Sequence, residues 1–425
     1  MIKERKIFAK LLKEASVPKV SIILGSRQVG KTTALEYVFE TICGKGKHKG
    51  IFLDLDIYSN FEKISSYENA VNTFKLAGYN PESRERFYVF LDEFQRYKDL
   101  TVIIKNIYDH HKNIKIYATG SSSITIKCNV QESLSGRKII TYLFPLNFEE
   151  FLIFKNKKDL LAALKNVSSL RGEDLFAPSK ELFENLEEFI RFGAYPEVVL
   201  AGNKKDKTEI LRSIFDLYVK KELVEYLKIE KIYETKRLIQ YLAVNNAQKI
   251  KYQNISQFVG FSQKTVKHYI EIIKETFLLV EIKPFFANKN KELVKIPKIY
   301  FVDTGVANFF TNNFNKLELR NDSPFLFENF VLSEFLKNGF IEDNIKFWQD
   351  KNKNEVDFIL EKSSKVTAVE VKFKKNLKAS DFSSLNLFKK DYPGTDCVLI
   401  NLSSQKKHKN IKTMLPYKAA YAAEI

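Results

Sequence analysis

The amino-acid sequence predicts an α/β protein that begins with a parallel sheet and ends with a second α/β region. Over residues 1–155, short apolar runs, one of them near Ile51–Asp56, alternate with helical segments. This alternation is typical of a doubly wound parallel sheet. The pattern then turns mainly helical and charged, and strand patterns return between residues 345 and 402. A chain of 425 residues is long enough for about two to four domains.

The first predicted strand, Val20–Leu24, leads directly into a glycine-rich loop. Residues 25–32 read GSRQVGKT, the complete pattern G-x-x-x-x-G-K-[ST], and a helical pattern follows. Such a loop turns its N–H groups toward phosphate oxygens, and the following helix adds its positive dipole end. The sequence therefore predicts a P-loop NTPase sheet that binds ATP and Mg²⁺, with Lys31 at the β- and γ-phosphates and Thr32 on the metal ion. The predicted nucleotide-binding residues are Gly25, Ser26, Arg27, Gln28, Val29, Gly30, Lys31, Thr32 and Thr33.

Two acids end the apolar strand near Tyr88–Asp92, where the second half of an NTPase site is expected. Asp92 is predicted to hold Mg²⁺ through water, and Glu93 to polarise the attacking water as a general base. The next strand, Lys115–Thr119, runs into Gly-Ser-Ser-Ser, so we predict that the Thr119 hydroxyl contacts the γ-phosphate. A serine-rich loop without a ligand is the alternative interpretation.

A helix-turn-helix pattern with a β-hairpin follows the helical region. A short helix at 255–259 and a turn at 260–262 precede a longer helix, for which Ser262 is the predicted N-cap. The hairpin strands, predicted at Leu279–Phe285 and Leu293–Ile296, form a wing. In a winged helix-turn-helix the start of the second helix faces the DNA groove, although such modules also serve as protein-contact adaptors. The predicted DNA contacts are Gln263, Lys264, Lys267 and Lys289.

The carboxyl-terminal strands carry a D…E-x-K pattern of the kind found in restriction-endonuclease-like folds. Asp357 and Glu370 are predicted to chelate a divalent metal ion that activates a bound water. Lys372 is two residues beyond Glu370 and therefore lies on the same strand face. Glu328, on the preceding predicted helix, is the expected outer acid.

This predicted metal site depends on the length of one turn. A four-residue turn at 362–365 pairs Glu361 with Val366 and sets Asp357 opposite Glu370. A five-residue turn would point Glu370 to the other face of the sheet. The alternative interpretation is an amphipathic hairpin with ordinary solvent-facing charges.

Charge and composition restrict the class of partner. The chain has 69 Lys and Arg against 52 Asp and Glu, a net charge of +17, which favours polyanionic partners and duplex DNA in particular. No apolar run approaches the ~20 residues of a membrane helix, and the first residues lack the apolar core of a signal peptide. Three dispersed cysteines suit a reducing compartment. We therefore expect a cytoplasmic protein without membrane contacts, and a homo-oligomer stays open.

Together these motifs resemble a prokaryotic family of unknown function that joins an AAA-type P-loop ATPase to a winged helix and a restriction-endonuclease-like (PD-(D/E)xK) domain. The resemblance spans nearly the whole chain and rests on GSRQVGKTT, FLDEFQ, ATGSSS, LSGRKI, LFPLNFEEF, FGAYPEV, KIYFVDTGVAN, EVDFIL and AVEVK. It implies Walker roles for Gly25, Gly30, Lys31, Thr32, Asp92 and Glu93, and nuclease-like roles for Glu328, Asp357, Glu370 and Lys372. The implied domains are an ATPase core at 1–155, a helical lid or adaptor at 156–232, a winged helix-turn-helix at 233–303 and a restriction-endonuclease-like domain at 304–425.

Two functions stay open at this point. The first is an ATPase that acts on or is switched by DNA, with a metal-dependent nuclease activity left uncertain. The second is a nucleotide-dependent switch or adaptor whose winged helix and inactive nuclease-like fold bind a protein partner. The D-x(12)-E-x-K spacing favours the first. The second function is favoured because sequence spacing does not identify an arginine finger, which leaves ATP turnover without that support.

Overall fold

The computed structural model describes residues 2–97, 99–121, 134–166, 176–226, 229–286, 296–362, 365–403, 407–408 and 410–424. The chain divides into two compact units. Unit 1 consists of Met1–Phe144, Lys220–Lys228 and Glu275–Phe277, and unit 2 consists of Pro145–Val219, Ile229–Lys274 and Leu278–Ile425. None of the helices in the described ranges is long and apolar enough to cross a membrane.

Unit 1 contains a five-stranded parallel sheet with the order β2-β3-β4-β1-β5. Its strands are β1 (Val20–Leu24), β2 (Gly50–Asp54), β3 (Phe87–Asp92), β4 (Ile114–Gly120) and β5 (Lys138–Tyr142). The first four confirm the predicted strands to within two residues at each end. The fifth was missed because it is an edge strand whose side chains are mostly half-buried, so it lacks the continuous apolar run of a central parallel strand.

Helices pack on this sheet and close its core. They are α1 (Lys6–Lys13), α2 (Lys31–Cys43), α3 (Tyr58–Glu62), α4 (Tyr67–Leu76) and α5 (Leu100–His110). The central strands β1, β3 and β4 are buried at every position. Burial on both faces explains why these strands read as unbroken apolar runs in the sequence.

Unit 2 begins with helices, as the helical pattern after residue 156 predicts. They are α6 (Phe148–Phe154), α7 (Lys158–Asn166), α8 (Phe176–Phe192), α9 (Pro196–Leu200), α10 (Lys204–Tyr218) and α11 (Ile232–Val244). A π-helical segment, Val219–Tyr226, follows α10, and all of it except Val219 belongs to unit 1. The later helices are α12 (Tyr252–Val259), α13 (Gln263–Glu275), α14 (Thr304–Thr311), α15 (Ser323–Lys337) and α16 (Ser383–Asp391).

The predicted helix–turn–helix elements are present as α12 and α13. Ser262 Oγ accepts a hydrogen bond from Thr265 N at 3.1 Å, which confirms the predicted N-cap of α13. Val266, Ile270 and Ile273 are buried, so α13 turns its apolar stripe into the core.

A nine-stranded sheet runs through the rest of unit 2, in the order β13-β14-β12-β11-β10-β9-β7-β8-β6. Its strands are β6 (Gln248–Lys249), β7 (Leu279–Pro284), β8 (Lys298–Phe301), β9 (Ile345–Gln349), β10 (Glu355–Lys362), β11 (Lys365–Val371), β12 (Asp396–Ile400), β13 (Lys407–His408) and β14 (Ile411–Met414).

The first strand of the predicted wing hairpin is present as β7, which pairs antiparallel with β8 (Lys298–Phe301). Most of the predicted second strand, Leu293–Ile296, falls outside the described residues. Residues 287–295, including the predicted DNA contact Lys289, lie outside the described residues. On its other side β7 pairs in parallel with β9, with Lys283 opposite Lys346. The hairpin therefore continues directly into the carboxyl-terminal sheet strands.

Two of the quoted motifs, FGAYPEV and KIYFVDTGVAN, meet around one buried carboxylate. Asp303 Oδ2 accepts from Ala194 N at 2.8 Å, and Asp303 Oδ1 accepts from Gly305 N at 3.0 Å and Val306 N at 3.3 Å. Gly193 has φ +76°, and a Cβ there would lie 1.9 Å from Asp303 Oδ1. Asp303 thus caps α14 and ties the end of α8 to it, and only glycine fits at position 193.

Candidate functional site

The glycine-rich loop between β1 and α2 has the geometry that its sequence pattern requires. A Cβ at Gly25 would lie 2.1 Å from the Leu143 carbonyl oxygen, and Gly30, the N-cap of α2, has φ +93°. Both positions therefore demand glycine, one for close backbone approach and one for a left-handed conformation. The loop leads into the amino-terminal end of α2, where the helix dipole favours an anion.

Lys31 lies across this loop and is buried. Its Nζ donates to the carbonyl oxygens of Gly25 at 3.0 Å and Ser26 at 2.8 Å. Among the other predicted nucleotide-binding residues, Val29 is buried, Ser26 and Arg27 are half-buried, and Gln28, Thr32 and Thr33 are exposed. The loop thus holds a buried positive charge next to several exposed polar side chains at the end of β1.

Asp92 joins the loop to the neighbouring strands. Its Oδ2 accepts from the Thr32 hydroxyl at 2.7 Å, and its Oδ1 accepts from the Thr119 hydroxyl at the end of β4. Burial raises the pKa of the Asp92 carboxyl, and the hydrogen bonds from Thr119 and Thr32 oppose that rise. The hydrogen bond to Asp92 uses the proton of the Thr32 hydroxyl and leaves its oxygen available, so the pair fits an Mg²⁺ ion held directly by Thr32 and through water by Asp92.

Glu93 is held beside Asp92 by two neighbours. Its backbone has φ +54°, its N–H donates to Thr119 Oγ1 at 3.1 Å, and its carboxylate accepts from the Gln95 amide. Gln95 also donates to Ser121 Oγ at 3.1 Å. The structure therefore brings the predicted Asp92, Glu93 and Thr119 together, with the Thr119 hydroxyl donating to the Asp92 carboxylate and accepting from the backbone N–H of Glu93.

Sequence reasoning assigned no role to two residues at this site. Gln95 was part of the quoted FLDEFQ motif, which is the one signal that marks it. Arg5 carries no local signal. Its buried guanidinium donates to the Val29 carbonyl at 2.8 Å and to the Phe144 carbonyl at 3.1 Å, so Arg5 braces the glycine-rich loop from behind.

In unit 2, the register of β10 and β11 is the one that a four-residue turn predicts. Glu361 pairs with Val366 and Phe358 with Val369, which sets Asp357 opposite Glu370 and confirms the predicted register. Both acids are buried. The pattern of residues therefore places two carboxylates on one face of the sheet.

Further charged groups surround these two acids, and we name the whole set the acid–lysine cluster. Its members are Lys298, Tyr300, Glu328, Glu355, Asp357, Glu370 and Lys372. Lys298 Nζ lies 3.0 Å from Glu328 Oε1, 2.7 Å from Glu355 Oε1 and 4.0 Å from Asp357 Oδ1. The Tyr300 hydroxyl donates to Glu328 Oε1 at 2.6 Å. The predicted outer acid, Glu328, is therefore bound by a lysine and a tyrosine.

The remaining acids of the cluster are held differently. Asp357 Oδ2 accepts from Val371 N at 2.8 Å, and Glu370 Oε1 pairs with Lys372 Nζ. Glu370 Oε2 is buried without a hydrogen-bond partner. Burial, with the nearby Asp357 charge, raises the pKa of the Glu370 carboxyl well above its usual value. Burial likewise raises the pKa of Glu328 to about 7.

The acid–lysine cluster does not have the composition of a metal site. Within the described ranges, no group of three or more His, Cys, Asp or Glu side chains is arranged to hold a metal ion. Although burial would lower the pKa of Lys298, the surrounding carboxylates raise it well above its usual value, so this lysine is charged. The residues present at the acid–lysine cluster therefore suit a buried ion-pair network better than a divalent metal.

The predicted DNA-contact residues on α13 lie at the surface. Gln263, Lys264 and Lys267 are exposed, and Lys267 Nζ lies 4.9 Å from the centre of the Tyr252 ring. The start of α13 thus presents a polar, positively charged face.

Comparison with known proteins supports a modular chain. An AAA domain matches residues 17–152, a domain of unknown function (DUF8612) matches residues 183–317, and another domain of unknown function (DUF4143) matches residues 324–420. The AAA match contains the glycine-rich loop and the Asp92–Glu93 pair. The chain therefore carries an AAA-type P-loop ATPase domain and a carboxyl-terminal DUF4143 domain.

Similar proteins come from archaea and bacteria. An uncharacterized protein of Methanocaldococcus jannaschii, MJ1544, is 29% identical over 80% of this chain and 72% of its own length. An uncharacterized protein of Haemophilus influenzae is 25% identical over 88% and 87%. Among solved structures, the Walker-type ATPase PABY2304 of Pyrococcus abyssi is similar with a TM-score of 0.46 and 16% identity, covering 73% of this chain and 96% of that one.

Proposed function

We propose that this protein binds and hydrolyses ATP and that its ATPase acts on, or is switched by, DNA. The observation that carries the proposal is the hydrogen-bonded chain from Thr32 through Asp92 and Thr119 to Glu93. It joins the phosphate-binding loop to two acids at the carboxyl ends of parallel strands, the edge at which open α/β sheets bind ligands.

Lys31 and the hydrogen-bonded residues each have a role in the proposed phosphoryl transfer. Lys31 and the loop N–H groups bind the β- and γ-phosphates, and Thr32 with Asp92 holds Mg²⁺. An ion held there would supply positive charge against the negative charge that develops on the phosphate. Glu93 accepts the proton of the attacking water. The Thr119 hydroxyl holds the Asp92 carboxylate and the backbone of Glu93 in place, and its contact with the γ-phosphate stays a prediction.

DNA is proposed as the partner because of charge at the α13 face. Lys264 and Lys267 are exposed at the start of the second helix of a helix–turn–helix arrangement, the position that faces the groove in winged helix-turn-helix proteins. The chain as a whole carries a net charge of +17, which adds a long-range attraction to phosphates.

ATP hydrolysis, measured with and without duplex DNA at low and high salt, tests the proposal. We expect Mg²⁺-dependent turnover that rises with DNA at low salt, with a smaller rise at high salt because counterion release weakens binding. A Mg²⁺/Mn²⁺ cleavage assay on the same DNA runs alongside. If DNA does not change the rate of ATP turnover at either salt concentration, DNA is not the partner of the ATPase. If no ATP turnover is measured, the protein binds nucleotide as a switch without hydrolysing it.

The combined change Lys264→Ala and Lys267→Ala is expected to weaken DNA affinity and to make its salt dependence shallower. Each lost phosphate contact lowers the slope by about one unit, so the pair lowers it by up to about two. Binding is measured by fluorescence anisotropy across a salt series. The matched control is Lys204→Ala with Lys205→Ala, two exposed lysines at the start of α10. If the α13 variant and this control have the same DNA affinity and the same salt dependence, α13 does not contact DNA and its exposed face binds another partner.

The second candidate function is a nucleotide-dependent adaptor whose winged helix and inactive nuclease-like domain bind a protein partner. The observation that favours it is the state of the acid–lysine cluster, where Glu328 pairs with Lys298 and Glu370 with Lys372. Acids that are already paired with lysines are poor ligands for a divalent ion. A nuclease-like domain of this kind would bind and not cut.

A further inference from the structure

The acid–lysine cluster of unit 2 has a cation at its centre that belongs to the chain itself. Lys298 Nζ is 2.7 Å from Glu355 Oε1, 3.0 Å from Glu328 Oε1 and 4.0 Å from Asp357 Oδ1. Lys298 is 4% exposed. One ammonium group therefore neutralises acids from α15 and β10 at the same time.

We infer that the Lys298 ammonium is the resident cation of this cluster, in the place where a nuclease-like site would hold a divalent metal ion. The inference rests on the second candidate function and gives its physical basis. It identifies the predicted metal-binding acids as one half of a permanent ion-pair network whose other half is Lys298 and Lys372.

The backbone holds Lys298 in this position. Lys298 opens β8, where it pairs with Lys249 of β6 on one side and with Ile282 of β7 on the other. The side chain therefore projects from a strand with neighbours on both edges. Withdrawing the ammonium would leave the buried Glu328 carboxylate with the Tyr300 hydroxyl but without its counter-charge, which is strongly unfavourable.

The surrounding groups complete the neutralisation. Lys249 Nζ lies 3.0 Å from Glu355 Oε2, so Glu355 bridges two lysines. Lys372 pairs with Glu370. A divalent ion bound between Asp357 and Glu370 would approach these fixed ammonium groups in a buried site, where like charges repel far more strongly than in water. The cluster therefore excludes the ion that its acids alone would attract.

Metal rescue of a Lys298→Met chain tests this inference. Methionine keeps the volume and removes the charge, so the variant is expected to unfold at a lower temperature and to gain a Mn²⁺ site. Bound Mn²⁺ is counted by electron paramagnetic resonance on nucleotide-free full-length protein, and the midpoint of thermal unfolding is recorded with and without Mn²⁺. We expect the variant to bind Mn²⁺ at least about tenfold more tightly than the wild type and to regain thermal stability with it.

Two further variants show whether a gained Mn²⁺ site lies in the acid–lysine cluster. Adding Asp357→Asn to Lys298→Met removes one ligand but keeps an acceptor for the Val371 N–H, and it is expected to abolish the gained site. Lys346→Met is the matched control. Lys346 is a buried lysine of the same sheet that pairs with Glu361 at 2.6 Å, and its loss is expected to lower stability without any gain of Mn²⁺.

Two results overturn the inference. The first is Mn²⁺ bound by the wild-type chain and lost on Asp357→Asn, a comparison that needs no Lys298 variant and holds even if Lys298→Met fails to fold. The second is a folded Lys298→Met chain that gains no Mn²⁺ site. That result would contradict the inference but would still be compatible with the second candidate function, a nuclease-like domain that does not cut DNA. Metal-dependent DNA cleavage by the wild type would instead end the second candidate function itself.

Discussion

Glu93→Gln is expected to lower ATP turnover by roughly 10²–10⁴-fold while ATP binding persists. Glu93 lies at the carboxyl end of β3, with its N–H on Thr119 Oγ1 and its carboxylate on Gln95. Glutamine preserves the size and most of the hydrogen bonding, but it cannot take a proton from the attacking water. Lys31→Ala is expected to abolish ATP binding, because it removes the cation that holds the phosphates.

Phosphate release with Mg²⁺-ATP measures turnover, and a fluorescent ATP analogue measures binding. Glu68→Gln is the matched control, since Glu68 is an exposed glutamate on α4 of the same unit, and it is expected to change neither quantity. Undiminished turnover in Glu93→Gln would show that another group is the base. Loss of ATP binding in Glu93→Gln would show that Glu93 maintains the conformation of the nucleotide-binding loop.

Gly193→Ala is expected to lower the free energy of unfolding by about 3–5 kcal/mol, the sum of a left-handed backbone, a steric overlap and a disturbed buried carboxylate. The new Cβ would lie 1.9 Å from Asp303 Oδ1, at a residue with φ +76°. Asp303 would have to move away from the N–H groups of Ala194 and Gly305 that it now binds. Chemical denaturation of the full-length chain measures the loss.

Substitutions at two other glycines of unit 2 separate the cost of backbone strain from the cost of steric overlap with Asp303. Gly260 has φ +83° but open space around its Cβ position, so Gly260→Ala is expected to cost only the backbone strain, about 1–2 kcal/mol. Gly202 has open space and no left-handed backbone, and Gly202→Ala is expected to stay within about 0.5 kcal/mol of the wild type. Equal losses for Gly193→Ala and Gly260→Ala would show that Asp303 gives way without cost.

Local patterns were sufficient wherever the controlling forces act over a few residues. The apolar run Val20–Leu24 and the loop after it identified β1 and its glycines, because strand burial and phosphate-loop geometry both depend on neighbouring residues. Ser262 was recognisable as a cap for the same reason. The edge strand β5 was missed, since an edge strand is held by pairing with β1 and has little apolar pattern of its own.

By itself the sequence determined the phosphate-binding loop and the two acids at the end of β3, because each follows from local backbone geometry. The register that sets Asp357 opposite Glu370 was one of two that the turn length left open, and the pairing of β10 with β11 decided it. Only the tertiary structure decided what surrounds these residues. Arg5 braces Val29 from 24 positions away, and Lys298 reaches Glu328 across 30 positions. Ion pairs and long-range hydrogen bonds have no sequence period, and they form only after the elements that carry them have packed together, which for Lys298 are α15, β8 and β10.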